Sequence, residues 1–206
     1  MRILIVDDHP LIVSGCRALI ESDPEIELID AADGKSGYTK YFSSSPDVAA
    51  IDINLPGISG FELCRRILLR DPKARIIIFS MHSDPIFAAR AIDAGAKGYL
   101  SKSDDPLRFL DAMHQVAKGA AYISEEIAHK LAFFKASGGA SPLRELTSRE
   151  LEILRLLGAG LAPAEVANIL EVSYKTIANN CTVLKRNLGA RSLMDLARIA
   201  VEHGLA

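Results

Sequence analysis

The chain has no tryptophan, only three cysteines in 206 residues, and 6% aromatic residues. Cys16, Cys64 and Cys181 are scattered, form no Cys-x-x-Cys pair and have no histidine at metal-ligand spacing. That pattern argues against a disulfide framework and a structural zinc site, and for reduced, packed thiols in a reducing compartment. Long apolar runs are missing as well: no uninterrupted stretch reaches the length needed to cross a bilayer. The opening residues, MRILIVDD, run straight into a strand-like segment without the charged, apolar and cleavage regions of a signal peptide in order. A soluble cytoplasmic protein is expected. Internal repeats and long low-complexity tracts are also absent. What is present is 49% hydrophobic residues, enough to build real cores, in a chain comfortable for two domains.

From residue 2 to about 119, strand-like and helix-like segments alternate. Apolar runs of strand length occur at 2–6, 26–31, 47–51, 75–79 and 97–100. Their unbroken apolar character suits strands covered on both faces, as in a parallel sheet. The intervening segments carry helix starts. Asp84-Pro85 and Asp105-Pro106 read as an N-cap followed by Pro at the first helical position, and Ser59 with Glu62 has capping-box spacing. In the last of these helices Leu107, Leu110, Met113 and Ala117 are expected to share the buried stripe. Five β-α units predict a doubly wound α/β domain with a five-stranded parallel sheet over residues 1–119.

Beyond residue 119 the pattern changes. Residues 120–143 read as a linker, helical from Ser124 to Lys135 and then flexible through ASGGAS at 136–141. Residues 144–206 carry helical signals alone, including a Thr147…Glu150 capping box, and predict a small all-α domain of four helices.

In doubly wound folds, sites form at the carboxyl ends of the strands. Here Asp7 and Asp8 end the first strand, Asp52 ends the third, Ser80 ends the fourth, and Lys102 follows the fifth. Adjacent carboxylates at a strand end repel each other and lose water, which raises their pKa values unless a cation offsets the crowding. Taken alone, Asp7-Asp8 reads equally well as a helix cap beside Pro10. Taken together, three carboxylates and one lysine compose a Mg²⁺ site, since Mg²⁺ prefers a few carboxylate oxygens plus waters. Such a site leaves room for a phosphoryl group, with Lys102 neutralising one phosphoryl oxygen and the Ser80 hydroxyl bonding another. A carboxylate beside Mg²⁺ can itself attack phosphorus and become an aspartyl phosphate.

The motifs IVDDHP, IDINLPGISG, FSMHSD and AGAKGYLSKS, in this order, resemble the receiver domain of two-component response regulators. The resemblance implies that Asp52 accepts a phosphoryl group from a phosphohistidine on a sensor histidine kinase. It implies that Asp7, Asp8, Asp52 and the backbone carbonyl of Asn54 hold Mg²⁺. It also implies that Ser80 and Tyr99 form a switch pair, the aromatic turning inward as the hydroxyl moves to the phosphoryl group. His82 lies where such domains tune autodephosphorylation, or is a solvated loop histidine.

The segment from Thr147 to Ala190 resembles the helix-turn-helix domain of the LuxR type, and the whole chain looks like a NarL/FixJ-family regulator. The recognition helix would span Ser173–Leu188. Periodicity places Ile177, Cys181, Leu184 and Leu188 on a buried stripe and leaves Lys175, Asn179, Thr182 and Arg186 opposite. Lys and Arg suit phosphates, Asn and Thr suit base edges, and Lys185 completes the candidate DNA-binding set. The helix departs from the family's usual residues at Ala178 and Asn180, and the preceding helix begins Ala162-Pro163-Ala164 without a polar cap. Residues 144–206 hold eight Lys or Arg against seven Asp or Glu, a net of +1. A strong electrostatic footprint for DNA is therefore missing.

The expected function is a phosphorylation-gated regulator of transcription that pairs into a homodimer on double-stranded DNA. The alternative is a phospho-switch whose helical domain binds a protein partner. A Mg²⁺-dependent phosphohydrolase is disfavoured because Asn54 stands where a second acid would be needed. No turnover beyond self-phosphorylation and slow autodephosphorylation is expected.

Overall fold

The apolar runs form strands because both faces of the sheet they build are covered. In this computed structural model, which describes residues 1–21, 23–136, 143, 146–203 and 205, the chain divides into two compact units, Met1–Ala136 and Ser137–Ala206. The expected flexible stretch at 137–141 lies outside the described residues.

The first unit alternates β1 (Arg2–Val6), α1 (Pro10–Ile20), β2 (Glu27–Ala31), α2 (Gly34–Ser44), β3 (Val48–Ile51) and α3 (Gly60–Arg70). It continues with β4 (Ile76–Ser80), α4 (Pro85–Asp93), β5 (Gly98–Ser101), α5 (Pro106–Ala117), β6 (Tyr122–Ile123) and α6 (Glu125–Ala136). All strands run parallel in the order β2-β1-β3-β4-β5-β6. On one face Ile3, Ile5, Val48, Ala50, Ile77 and Phe79 pack with Cys16 and Ile20 of α1 and with Phe109, Ala112, Met113 and Val116 of α5. The alternate residues Leu4, Ala49, Ile51, Ile76 and Ile78 are fully buried too, as the two-residue period of a strand covered on both faces requires. Each leucine, isoleucine or valine among them contributes about 1.5–3 kcal/mol by leaving water.

Two expectations are corrected. The sheet has six strands, not five: Tyr122 and Ile123 pair with Gly98 and Tyr99. A two-residue strand is too short to leave a periodic signal. Gly98 admits it, since a Cβ there would lie 2.8 Å from the Tyr122 carbonyl oxygen. The buried stripe of α5 is Phe109, Ala112, Met113 and Val116, whereas Leu107 is 68% exposed and Leu110 and Ala117 are half-buried. The helix offers two overlapping apolar stripes, and contact with the sheet selects the one carrying Phe109, which packs on Phe79 at 5.3 Å between ring centroids. The first compact unit extends to Ala136, and within it α6 packs against α4, with Ile127 and Leu131 buried.

The second unit contains α7 (Ser148–Gly158), α8 (Pro163–Ile169), α9 (Tyr174–Leu188) and α10 (Leu193–Glu202). Thr147 and Glu150 form the expected reciprocal capping box. At α8 the cap residue Ala162 has no acceptor, and Glu165 compensates by accepting the Ala162 N–H at 2.7 Å. Arg149 donates to the Leu170 carbonyl at 2.8 Å, tying α7 to the turn between α8 and α9. Ile177, Cys181 and Leu184 are buried as the periodicity predicts, and Leu188 is half-buried. Gly189, at φ 67°, ends α9 in the left-handed conformation that glycine adopts without strain.

All three cysteines are free and buried, and burial pushes the Cys16 and Cys64 thiols up to about 12. Among the described residues no helix is long and apolar enough to cross a membrane.

Candidate functional site

The strand order fixes where the site forms. From β1 the chain proceeds to β2 on one side, while β3, β4 and β5 extend on the other. The reversal at the β1/β3 pair opens a crevice beyond their carboxyl ends. Val6 and Ile51 are in register, so the next residues, Asp7 and Asp52, flank that crevice. Their backbones are held by the ladder: Asp7 N–H donates to Ala31 and Asp52 N–H to Val6, both at 2.9 Å. Gly60, the first residue of α3, lies against the Asp52 carbonyl, where a Cβ would come within 1.9 Å of the oxygen. No other residue fits at that approach.

Lys102 follows β5 and is anchored by its N–H to the Ser80 carbonyl at 2.7 Å. Its side chain is 1% exposed, and Nζ lies 2.6 Å from Asp7 Oδ2 and 3.0 Å from Asp52 Oδ1. One ammonium thus serves two buried carboxylates. Burial raises the Asp52 pKa above the ordinary carboxylate value; Lys102 opposes that shift and the neighbouring Asp7 charge adds to it. Asp52 Oδ2 also accepts the Asn54 N–H at 3.3 Å.

Asp8 sits at the rim of the crevice. Ligand atoms of Asp7, Asp8, His9 and Asp52 all lie within 4.8 Å of one another. Lys102 pairs with the two buried carboxylates, Asp7 and Asp52, and Asp8 adds a third at the rim, so the donor set fits a hard divalent cation. The helix-cap reading of Asp7-Asp8 fails: the N-cap of α1 is His9, and no side chain bonds the first turn. Sequence reasoning misses His9. Its place directly after the aspartate pair is the available signal.

Ser80, His82 and Tyr99 form a second, linked group. Ser80 is buried, and its Oγ accepts the His82 N–H at 3.2 Å. The Tyr99 hydroxyl donates to the His82 carbonyl at 2.6 Å. Tyr99 is fully buried and therefore already inward, and burial pushes its phenol well above the ordinary value. His82 is 6% exposed, stacks on Phe87 of α4 with ring centroids 4.2 Å apart, and lies 3.5 Å from the Asn54 amide. It is not a solvated loop histidine.

In the second unit Lys175, Asn179, Thr182 and Arg186 all stand on the exposed side of α9, and Lys185 is half-buried beside them. Thr182 turns its hydroxyl onto the Ala178 carbonyl at 3.0 Å. Asn180 donates to the Thr176 carbonyl at 2.8 Å, so its amide serves the helix itself. Ser173 caps the helix through the Thr176 N–H at 3.1 Å.

Comparison with known proteins covers both units. The family described as "Response regulator receiver domain" matches residues 3–114, and "Bacterial regulatory proteins, luxR family" matches residues 144–200. The transcriptional activator protein ExaE of Pseudomonas putida is 36% identical over all of this chain and 98% of its own length. The methanol utilization control regulatory protein MoxX of Paracoccus denitrificans is 33% identical over 95% of this chain and 89% of its own. The crystal structure of a LuxR-family two-component response regulator from Aurantimonas sp. SI85-9A1 matches 66% of this chain and 97% of its own, at 40% identity and a TM-score of 0.62. With a receiver fold, its acidic crevice and a LuxR-type helical domain in one polypeptide, the chain belongs to the NarL/FixJ family of two-component response regulators.

Proposed function

We propose that the protein is a phosphorylation-gated transcription regulator of the cytoplasm, in which Asp52 is phosphorylated by a sensor histidine kinase. The observation that carries this reading is the Lys102 ammonium held between Asp7 and Asp52 in a buried crevice. A carboxylate oxygen of Asp52 attacks phosphorus, the P–N bond of the donor phosphohistidine breaks, and the histidine leaves with the bonding electron pair. Asp7, Asp8, Asp52 and the Asn54 backbone carbonyl are the groups suited to hold Mg²⁺, which supplies charge neutralisation for the incoming phosphoryl group. Lys102 neutralises a further phosphoryl oxygen at a fixed position, and Ser80 is placed to hydrogen-bond another. The chain acts once per phosphoryl group and is not a turnover enzyme apart from slow loss of its own phosphate.

The output is DNA binding through α9. Lys175, Lys185 and Arg186 serve phosphates, and Asn179 and Thr182 face base edges. With a net charge of only +1 in the helical region 144–206, one copy binds weakly. Phosphorylation favours a homodimer, and pairing multiplies affinity roughly a hundredfold by effective concentration. Relatives named as a transcriptional activator and as a control regulatory protein support this reading.

Two measurements test it. Treated with acetyl phosphate and Mg²⁺, the wild type gains one base-labile phosphoryl group by intact mass and Asp52→Asn gains none. Equal labelling of the variant removes Asp52 as acceptor. With BeF₃⁻ standing in for the phosphoryl group, the chain dimerises in sedimentation and binds DNA upstream of its own gene more tightly than random DNA. Dimerisation without that preference transfers the output to a protein partner.

A further inference from the structure

Helices α2 and α3 pack side by side, and an open groove of about 990 Å³ runs between them. One turn of each helix builds its walls: Lys35 and Tyr38 from α2, and Arg66, Leu69 and Arg70 from α3. Its floor is the loop between β3 and α3 at 56–58. A Cβ on Gly34 would lie 2.3 Å from Ile58 Cγ1, so this loop is pressed against the start of α2 and the floor is closed. Leu69 stands 85% exposed at the edge of the groove, beside half-buried Tyr38 and Ile58. The charges are unbalanced. Three cations line the groove against one acid, Asp33, in a chain whose net charge is −2. Asp33 is turned into its own helix: Oδ1 accepts the Lys35 and Ser36 N–H groups at 2.8 and 2.9 Å, and Oδ2 accepts the Ser36 hydroxyl at 2.7 Å. Arg66 is paired, with Nε 2.7 Å from Glu62 Oε1. Lys35 and Arg70 form no ion pair among the described residues. The Arg70 guanidinium lies 4.3 Å from the Phe42 ring centroid, a cation–π contact that holds the group and uses none of its N–H donors.

We propose that this groove binds an amphiphilic carboxylate, its apolar body lying along Tyr38, Ile58 and Leu69 and its head served by Lys35 and Arg70. Small-molecule sites have volumes of about 300–1,000 Å³ and largely apolar walls, with a few polar groups that fix the ligand's orientation. The groove has that size and that division of labour. It is too small for a macromolecular partner: a stable protein interface takes about 20–30 residues a side, and eleven line this groove. The two unpaired cations select a negative head, and the planar donor fork of an arginine matches a carboxylate. The apolar floor and walls exclude a bare inorganic anion as the best occupant, since it would leave them in water. The site is separate from the acidic crevice, because none of Asp7, Asp8, Asp52 and Lys102 lines it.

The test is an NMR titration of the full-length, ¹⁵N-labelled chain with decanoate below its micelle concentration. The amide shifts should saturate and should concentrate at Tyr38, Thr39, Gly57, Ile58 and Leu69. Decanol, the body without the charge, should bind about tenfold more weakly, and inorganic phosphate, a charge without the body, should leave these amides unmoved. Lys35→Gln and Arg70→Gln should each weaken decanoate about threefold, as expected of an exposed charge contact, and the double variant about tenfold. Thr39→Trp, which sets an indole into the groove from the α2 wall, should abolish the shifts. All four variants should unfold in urea at the wild-type midpoint, which separates loss of the groove from loss of the fold. Decanoate shifts that fail to saturate, or that fall outside the groove, overturn the proposal, as does decanol binding as tightly as decanoate. A response to phosphatidylglycerol vesicles with none to free decanoate makes the groove a membrane contact and overturns it too.

Discussion

The receiver crevice and the exposed face of α9 hold similar kinds of residues under opposite conditions. In the crevice, Asp7, Asp52 and Lys102 are buried to within a few per cent, and each charge depends on the others. On α9, Lys175, Asn179 and Arg186 stand in water and are independent of one another. A buried charge that loses its partner costs several kcal/mol, whereas an exposed charge is screened by solvent and salt. Substitutions in the crevice should therefore act in an all-or-none manner on chemistry and strongly on stability. Substitutions on α9 should act in graded steps on affinity alone.

The largest effect expected from that contrast is at Lys102. Lys102→Met keeps an unbranched side chain, one atom shorter, and leaves Asp7 and Asp52 facing each other with no cation between them. In EDTA at pH 7 the variant should lose about 3–5 kcal/mol of unfolding free energy by urea titration, the cost of orphaning a buried charge. Added Mg²⁺ should restore part of that loss. A loss below about 1 kcal/mol would mean that the crevice is wetter than its burial indicates, and the contrast with α9 would weaken.

On α9 the largest effect belongs to Asn179. Asparagine reads adenine through a bidentate pair in the major groove, so Asn179→Ala should cost about 1–3 kcal/mol on a site selected from random sequence. Random duplex should hardly register the change. An equal loss on both would make Asn179 a backbone contact.

What is legible in the sequence follows the same division. Asp7, Asp52, Ser80 and Lys102 can be placed because strand ends in a parallel sheet converge by topology, and topology is readable from unbroken apolar runs. His9 cannot, because an exposed histidine beside two aspartates has no periodicity to mark its direction. The structure brings its ring to the pair, with Nδ1 2.9 Å from Asp8 Oδ1 and 3.1 Å from Asp7 Oδ1. Strand β6 escapes for a different reason: two residues carry no pattern, and the space for them comes from Gly98 on the neighbouring strand. On α5, two stripes satisfy the helical period equally, and only contact with Phe79 separates them. In α9 a single stripe satisfies it, and Ile177, Cys181 and Leu184 are buried where that stripe puts them.

A smaller effect in the crevice concerns pH. Burial raises the Asp52 carboxyl above the ordinary value, so between that value and its native pKa the folded chain holds a proton that the unfolded chain has released. Stability from this group is fully present below the ordinary carboxylate pKa and falls as pH rises through the raised one. Asp52→Asn removes the charge, and Lys102 keeps Asp7 as its partner. The variant should therefore be more stable than metal-free wild type at neutral pH, with the gap closing as pH is lowered toward the ordinary carboxylate value. Thermal unfolding in EDTA across that range measures it. A gap that widens on acidification would reverse the assigned direction of the Asp52 shift.

The smallest effects lie at the exposed cations of α9. Lys175→Ala removes one phosphate contact and should lower affinity for selected and random DNA alike, by roughly 1 kcal/mol or less at physiological salt. Its signature is in the salt dependence, where the slope of log K against log salt should flatten by about one for each phosphate that is no longer neutralised. Arg186→Ala should behave the same way, and the double variant should show the sum of the two effects, because exposed sites far apart add independently. A non-additive double variant would mean that the two cations act as one unit. The face of α9 would then resemble the crevice, where one lysine is shared between two carboxylates.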